Sequence, residues 1–166
     1  MTMSVQYWKS PIGVLQIRAD QRKLRSIVLT EAAEESHPNP ITEKAICELE
    51  EYFSGKRKSF SVAAKPHGTP FQLAVWSALA AIPYGKVVTY GQLAAAIGHP
   101  TACRAAANAV GKNPLLILLP CHRVVASNGL GGFSSGLAAK RSLLTLEGVE
   151  IAEKSAFSEK FFFTFP

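Results

Sequence analysis

The sequence predicts an α+β protein in two parts, a small part of strands with one helix and then a mainly helical part. Three observations predict it. Apolar and polar residues alternate in short runs between Val5 and Leu29, the period of half-buried strands. A basic, polar, proline-bearing stretch from Lys56 to Pro70 breaks that pattern and reads as a linker. Beyond it, alanine-rich apolar segments sit between capping threonines and Gly/Pro stops, the punctuation of short helices. The 166 residues, 48% of them apolar, suffice for one ordinary domain or two small ones. The expected division is residues 1–66, residues 67–150 and a tail of 151–166.

Each element follows from local sequence. Val5 to Trp8, Gly13 to Arg18 and Leu24 to Leu29 are the strands, with turns at Ser10-Pro11-Ile12-Gly13 and Asp20-Gln21-Arg22-Lys23. After a loop at His37-Pro38-Asn39-Pro40, Thr42 opens a helix through Ala45, Ile46, Leu49 and Phe53, and Gly55 stops it. Past the linker, a helix runs from Pro70 to Ile82 and ends at Pro83-Tyr84-Gly85. Thr89 caps a short helix, Tyr90 to Ile97, closed by Gly98-His99-Pro100, and Thr101 caps the next, Ala102 to Gly111. Two short helices joined by a tight Gly/Pro turn have the form of a helix-turn-helix. Pro114 to Leu119 reads as a buried strand and Asn128 to Gly136 as a glycine-rich loop. Leu137 to Glu147 is the last helix, with Leu137, Leu143, Leu144 and Leu146 on its apolar face and Gly148 as its stop. The terminal Phe161-Phe162-Phe163-Thr164-Phe165-Pro166 is apolar enough to pack back on the body or on a neighbour.

Charge is placed unevenly. The net charge is +6, and from Tyr52 to Leu146 there is no acidic residue while ten Lys/Arg fall in that window. Such a stretch attracts a polyanion without repelling it, which points to nucleic acid; a basic domain without a partner is the alternative. No apolar run approaches the ~18 residues of a membrane span, and Met1 to Trp8 lacks the form of a secretory signal. Three cysteines (Cys47, Cys103, Cys121) without a CxxC pair argue against a disulfide framework and a cysteine-rich zinc site. A reducing cytoplasm, or a nucleus in a eukaryote, is the expected setting, with no membrane partner.

Helix 102–111 carries one long side chain, Arg104, among small ones. Small residues permit close approach to a narrow, shallow surface such as a minor groove, where one arginine acts as a wedge. The alternative is a packing helix with Arg104 in a salt bridge. The segment Pro114 to Val125 holds the chemistry. Cys121 follows an aliphatic run and a proline, with His122 and Arg123 beside it, and electropositive surroundings favour a thiolate nucleophile. In an extended chain Cys121 and His122 point apart, so a water would bridge them. Glu147 is the one acid of residues 67–148. It ends a helix where the dipole disfavours a carboxylate, so it needs a partner, and His122 fits. A Glu–His–water–Cys relay would then deprotonate the thiol. Cys47 and Cys103 read as packing residues, and His37, His67 and His99 as solvated.

Pro120-Cys121-His122-Arg123-Val124 after an aliphatic run resembles the active-site signature of the O6-alkylguanine-DNA alkyltransferases. The likeness extends over Pro83 to Tyr90, Ala102 to Asn113, Gly131 to Leu137 and Leu143 to Gly148. It implies a small ribonuclease H-like α/β domain, then a winged helix-turn-helix domain that binds DNA and carries the transfer chemistry. It implies that Cys121 takes the alkyl group from O6-alkylguanine in double-stranded DNA and keeps it, with O4-alkylthymine a further candidate. His122 and Glu147 would form the relay, Tyr90 would donate a proton to the leaving guanine and assist base flipping, and Asn113 would tie the recognition helix to the active-site segment. Arg104 would fill the vacated stack, with Tyr90, Thr101, Ala105 and Arg123 also at the DNA. Cys121, Val124, Phe133 and Ser134 would form the guanine pocket. Phe133 stands where tyrosine is also common in the family, and Ser135 where glycine is common. No cofactor and no metal are expected, since only His37 and Cys47 precede residue 67 as plausible zinc ligands. The expected state is a monomer. Two rival readings stay open: a Cys-His hydrolase whose loop 128–136 supplies an oxyanion hole, and a DNA-binding module that senses damage without chemistry.

Overall fold

A computed structural model describes residues 2–152 and 156–166. The chain forms two compact units. One holds Met1–His67 with Pro114–Leu118, the other Gly68–Asn113 with Leu119–Pro166.

The first unit is a three-stranded antiparallel meander, β1 (Ser4–Ser10), β2 (Gly13–Ala19) and β3 (Leu24–Thr30), with helix α1 (Pro40–Phe53) packed on it. Register pairs Trp8 with Leu15 and Leu15 with Leu29. Alternation sends Leu15, Ile17, Leu24 and Ile27 inward, where Ala45, Leu49 and Tyr52 of α1 are also fully buried. The helix start differs from the expectation. Asn39 is the cap, with Pro40 as first helical residue, and Thr42 is the third position, its N–H donating to Asn39 Oδ1 at 2.9 Å while its hydroxyl accepts from the Asn39 N–H at 3.0 Å.

Pro114 to Leu119 is not a regular strand. The Ile27 N–H donates to Pro114 at 2.8 Å and the Leu116 N–H returns to Ile27 at 3.0 Å, so the segment touches β3 through a single bridge at Leu115. Ile117 then turns with φ 74°, which ends the pairing. A β-branched residue in the left-handed region is strained. An aliphatic run records burial but not this reversal.

The second unit contains α2 (Pro70–Ala80), β4 (Val88–Thr89), α3 (Tyr90–Ala96), α4 (Cys103–Gly111), a 3₁₀ turn (Cys121–Arg123), β5 (Val124–Val125), α5 (Leu137–Leu146) and, in the tail, a further 3₁₀ turn (Glu159–Phe161). β4 and β5 pair in parallel. Thr89 caps α3 in a capping box with Gln92. Thr101 does not cap α4: Ala102 holds that position and supplies no side-chain bond. The Trp76 indole donates to Ala109 O at 2.9 Å and docks α2 on α4. On α5 the buried residues are Ala139, Lys140, Leu143 and Leu144, whereas Leu137 is 48% exposed, because the face is turned toward the cysteine turn rather than centred on the leucines. Cys47 and Cys103 are exposed rather than packed. The phenylalanine-rich tail does pack back: Phe157, Phe161 and Phe162 lie on a cluster of Val87, Val125, Leu130, Leu144 and Val149, and the Phe163 N–H donates to Val87 O at 2.9 Å. Among the described residues no helix is long and apolar enough to cross a membrane.

Candidate active site

Cys121 opens the 3₁₀ turn that follows Pro120. In a 3₁₀ turn successive side chains point about 120° apart rather than in opposite directions. The expected extended backbone is thus replaced by a tight turn, which sends Cys121, His122 and Arg123 three ways. Cys121, 4% exposed, lines a cavity of about 300 Å³ with Tyr90, Ala107, Val110, Gly111, Gly132, Phe133 and Ser134. That size lies at the low end of small-ligand pockets, roughly 300–1,000 Å³. Val124 is fully buried in β5 and does not line this cavity.

Behind the cysteine, His122 is fully buried and its Nε2 lies 2.6 Å from Glu147 Oε2. Arg123 turns inward as well. Its Nε donates to Glu147 Oε1 at 2.7 Å, Nη2 to Oε2 at 3.1 Å and Nη1 to Ile82 O at 2.6 Å. The expectation of Arg123 at the DNA therefore fails: its guanidinium is spent on a buried carboxylate and a carbonyl. The Gly85 N–H adds a bond to Glu147 Oε1 at 3.1 Å.

These contacts settle the charges. Burial opposes ionisation of Glu147, but the charge His122 carries once protonated, its hydrogen bond, and the bonds and charge of Arg123 outweigh it and hold the carboxyl down to about 2. Burial dominates at His122 and pushes its pKa down despite Glu147. Arg123 already neutralises that carboxylate, so the resting imidazole is neutral. It then donates Nε2–H to Glu147 and leaves Nδ1 as an acceptor. Nδ1 is buried and finds no hydrogen-bond partner in the described structure. Burial pushes the Cys121 thiol up, and the Asn113 side-chain bond and then the Lys140 charge pull it back.

Asn113 also donates through Nδ2 to Leu119 O at 2.6 Å, so it ties the end of α4 to the approach to Cys121. Tyr90 opens α3 at the cavity mouth and donates to Gly132 O at 3.3 Å. Gly131 sits under its ring at φ 73°, where a Cβ would lie 2.9 Å from Tyr90 Cε2. Arg104, Thr101 and Ala105 are exposed, at or beside the start of α4. The structure thus gathers Cys121, His122, Glu147, Asn113, Tyr90, Phe133 and Ser134 at one site and sets Arg104, Thr101 and Ala105 on the surface beside it.

Sequence reasoning missed Lys140. It is fully buried, and its Nζ donates to Val124 O at 2.6 Å and Gly132 O at 3.0 Å. One signal was available: Lys140 lies three and four positions before Leu143 and Leu144, which puts it on their face of the helix.

The fold and site define a protein whose buried cysteine, backed by a histidine–carboxylate pair, faces a small cavity beside a helix-turn-helix. Residues 70–149 match the 6-O-methylguanine DNA methyltransferase DNA binding domain, and residues 3–66 match the ribonuclease-like domain of the same family. The chain belongs to this family of methylated-DNA–protein-cysteine methyltransferases. It is 42% identical over 149 residues to the methylated-DNA–protein-cysteine methyltransferase of Methanosarcina acetivorans, covering 85% of this chain and 96% of the relative. The Haemophilus influenzae protein of the same name is 39% identical over 163 residues, 93% of this chain and 91% of that one. The crystal structure of Mycobacterium tuberculosis OGT in complex with DNA is similar at a TM-score of 0.79 and 39% identity, covering 86% of this chain and 91% of that chain.

Proposed function

We propose that this protein repairs DNA by direct reversal, moving the alkyl group of O6-alkylguanine in double-stranded DNA onto Cys121. The observation that carries the reading is Cys121 at the wall of a small cavity with the His122–Glu147 pair behind it, in a chain of this family.

The chemistry follows from the charges. Neutral His122 offers Nδ1, and a water between it and Sγ carries the thiol proton to the imidazole, which Glu147 then stabilises. The thiolate attacks the alkyl carbon in line; an S–C bond forms, and the C–O6 bond breaks with its electron pair moving to the purine. Tyr90 gives the guanine a proton and recovers one from the site, so the thiol proton ends on the base overall. The product is a thioether and an intact guanine. A thioether does not leave readily, so each molecule acts once.

The O6 group of a paired base lies inside the stack, so the nucleotide must be turned out to reach Cys121. Small residues of α4 let that helix approach the minor groove, and Arg104 takes the vacated place. Residues 67–150 carry these tasks, with 1–66 as scaffold. Every group named comes from one chain, which suits a monomer, and a thiol nucleophile suits a reducing cytoplasm. Against the hydrolase reading, the glycine-rich loop presents the Gly132 carbonyl, which accepts from Tyr90 and Lys140, whereas an oxyanion hole needs N–H donors.

The test is the intact mass of the protein after incubation with a duplex holding one O6-methylguanine. We expect a gain of one methyl group, mapped to Cys121 and saturating at one per protein, with Cys121→Ala binding the duplex unchanged in mass. Methyl on another residue, or many lesions repaired per protein, would overturn the reading.

A further inference from the structure

Lys140 is the buried cation that the scheme above does not use. Its ammonium is fully buried, yet it makes no ion pair among the described residues; its recorded acceptors are two carbonyls, Val124 O and Gly132 O. An ammonium taken out of water without a carboxylate costs several kcal/mol. Glu147, the buried carboxylate of this unit, is already committed to Arg123 and His122. Arg123 therefore carries no surplus charge into the site, and His122 is neutral. That leaves Lys140, among the described residues, as the buried positive charge beside the cavity that no carboxylate offsets.

The groups around it identify what it faces. From the 3₁₀ turn come Cys121 and His122, both of which feel its charge. From α3 comes Tyr90, whose ring centroid is 5.9 Å from Nζ. From the loop comes the Gly132 carbonyl, shared with the Tyr90 hydroxyl. Asn113 meets the same thiol from the end of α4. Of these, Cys121 must be an anion before transfer begins, whereas Tyr90 gives up its proton only as the guanine leaves, and Cys121 is the group whose charge Lys140 feels. We propose that Lys140 is a positioning residue that supplies the counter-charge for the Cys121 thiolate, a role that the sequence suggested for Arg123.

The two bonds give this charge a fixed address. Val124 follows the cysteine turn and Gly132 forms the lip of the cavity, so one ammonium links the nucleophile's backbone to the wall of the pocket. Burial also pushes the Lys140 ammonium down to about 8, partly offset by the nearby thiol. Its charge is therefore present at neutral pH and fades as pH rises through that value.

The inference rests on Cys121 being the nucleophile, but its test needs neither DNA nor methyl transfer. Iodoacetamide alkylates the thiolate, forming an S–C bond and releasing iodide, so its rate against pH reports the thiolate fraction. The full-length protein, Lys140→Met and Lys140→Gln would be titrated from pH 6 to 10, with peptide mapping to separate Cys121 from the exposed Cys47 and Cys103. Lys140→Met should slow Cys121 about tenfold or more at pH 7 and move its profile up by about one pH unit or more. The other two cysteines should not change. Lys140→Gln keeps a donor for Gly132 and Val124 but no charge, and should follow Lys140→Met. If Lys140→Gln instead titrates like the unaltered protein, the bonds matter and the charge does not, and the proposal fails. It fails equally if folded Lys140→Met keeps the original profile. Methyl transfer from duplex DNA by the unaltered protein, measured in parallel, tests the repair reading separately.

Discussion

Asp20 and Glu48 in the first unit and Glu147 in the second are all buried carboxylates, at 2%, 3% and 5% exposure. They are compensated in different ways. Asp20 accepts from the backbone N–H groups of Arg22 and Lys23 at 2.7 and 2.8 Å and pairs with Arg25, so it closes the β2–β3 turn. Glu48 accepts from Ser61, both hydroxyl and N–H, and from the Val62 N–H, with Arg57 nearby, so it pins the segment after α1. Each joins main-chain N–H groups to an arginine beside them. Glu147 instead receives two side chains of the cysteine turn, one of them a titratable base. The first unit balances its charges locally, while the second leaves a neutral histidine and an ammonium without a carboxylate beside its thiol.

The sharpest way to break this comparison is to neutralise one carboxylate in each unit. Glu147→Gln strands Arg123 in the interior and removes the acceptor that stabilises a protonated His122. Single-turnover transfer should fall about a hundredfold or more, and urea unfolding should lose about 3–5 kcal/mol. Glu48→Gln should leave transfer unchanged and lose about 1–3 kcal/mol. Equal effects on transfer would show that the two clusters do not differ in kind.

A smaller effect is expected from Arg104→Ala. On the proposed role of Arg104 in the stack, its loss should slow transfer from duplex DNA about tenfold, since an unfilled gap costs a few kcal/mol at most. Iodoacetamide alkylation of Cys121 without DNA should not change, because Arg104 is on the surface. A loss of thiol reactivity in this variant would place Arg104 in the chemistry instead.

The smallest effect concerns acid stability. Asp20 is held down from its ordinary 3.8 to about 2, because the bonds from Arg22, Lys23 and Arg25 outweigh its burial. A carboxyl with a depressed folded pKa stabilises the protein above its unfolded value, and that contribution is lost as pH falls through 3.8 toward 2. Asp20→Asn should flatten this limb of the urea midpoint against pH and leave methyl transfer at pH 7 untouched. Glu147 has its own limb, from 4.5 down to about 2, and it should persist in Asp20→Asn.

Much of this was legible in the residues. The period-2 runs located β1 to β3 within two residues at each end, and Thr89 marked the start of α3. Cys121, His122 and Glu147 stood out because reactive types were isolated by composition: one acid among residues 67–148 can pair with few partners. Local sequence cannot report where a side chain goes once a turn reverses. Arg123 reads as a surface cation until the 3₁₀ turn sends it to Glu147. Lys140 draws no notice until α5 is rolled onto the cysteine turn. Ile117 reads as strand until its φ turns positive.

By itself, then, the amino-acid order determined the two-part α+β plan and singled out Cys121, His122 and Glu147, because these depend on periodicity, capping and residue chemistry within short windows. Only the tertiary structure decided which cation serves which anion. That choice depends on distance and desolvation across segments far apart in the chain, where 24 residues separate Arg123 from Glu147 and 41 separate it from Ile82. A burial cost is borne only after those segments have met.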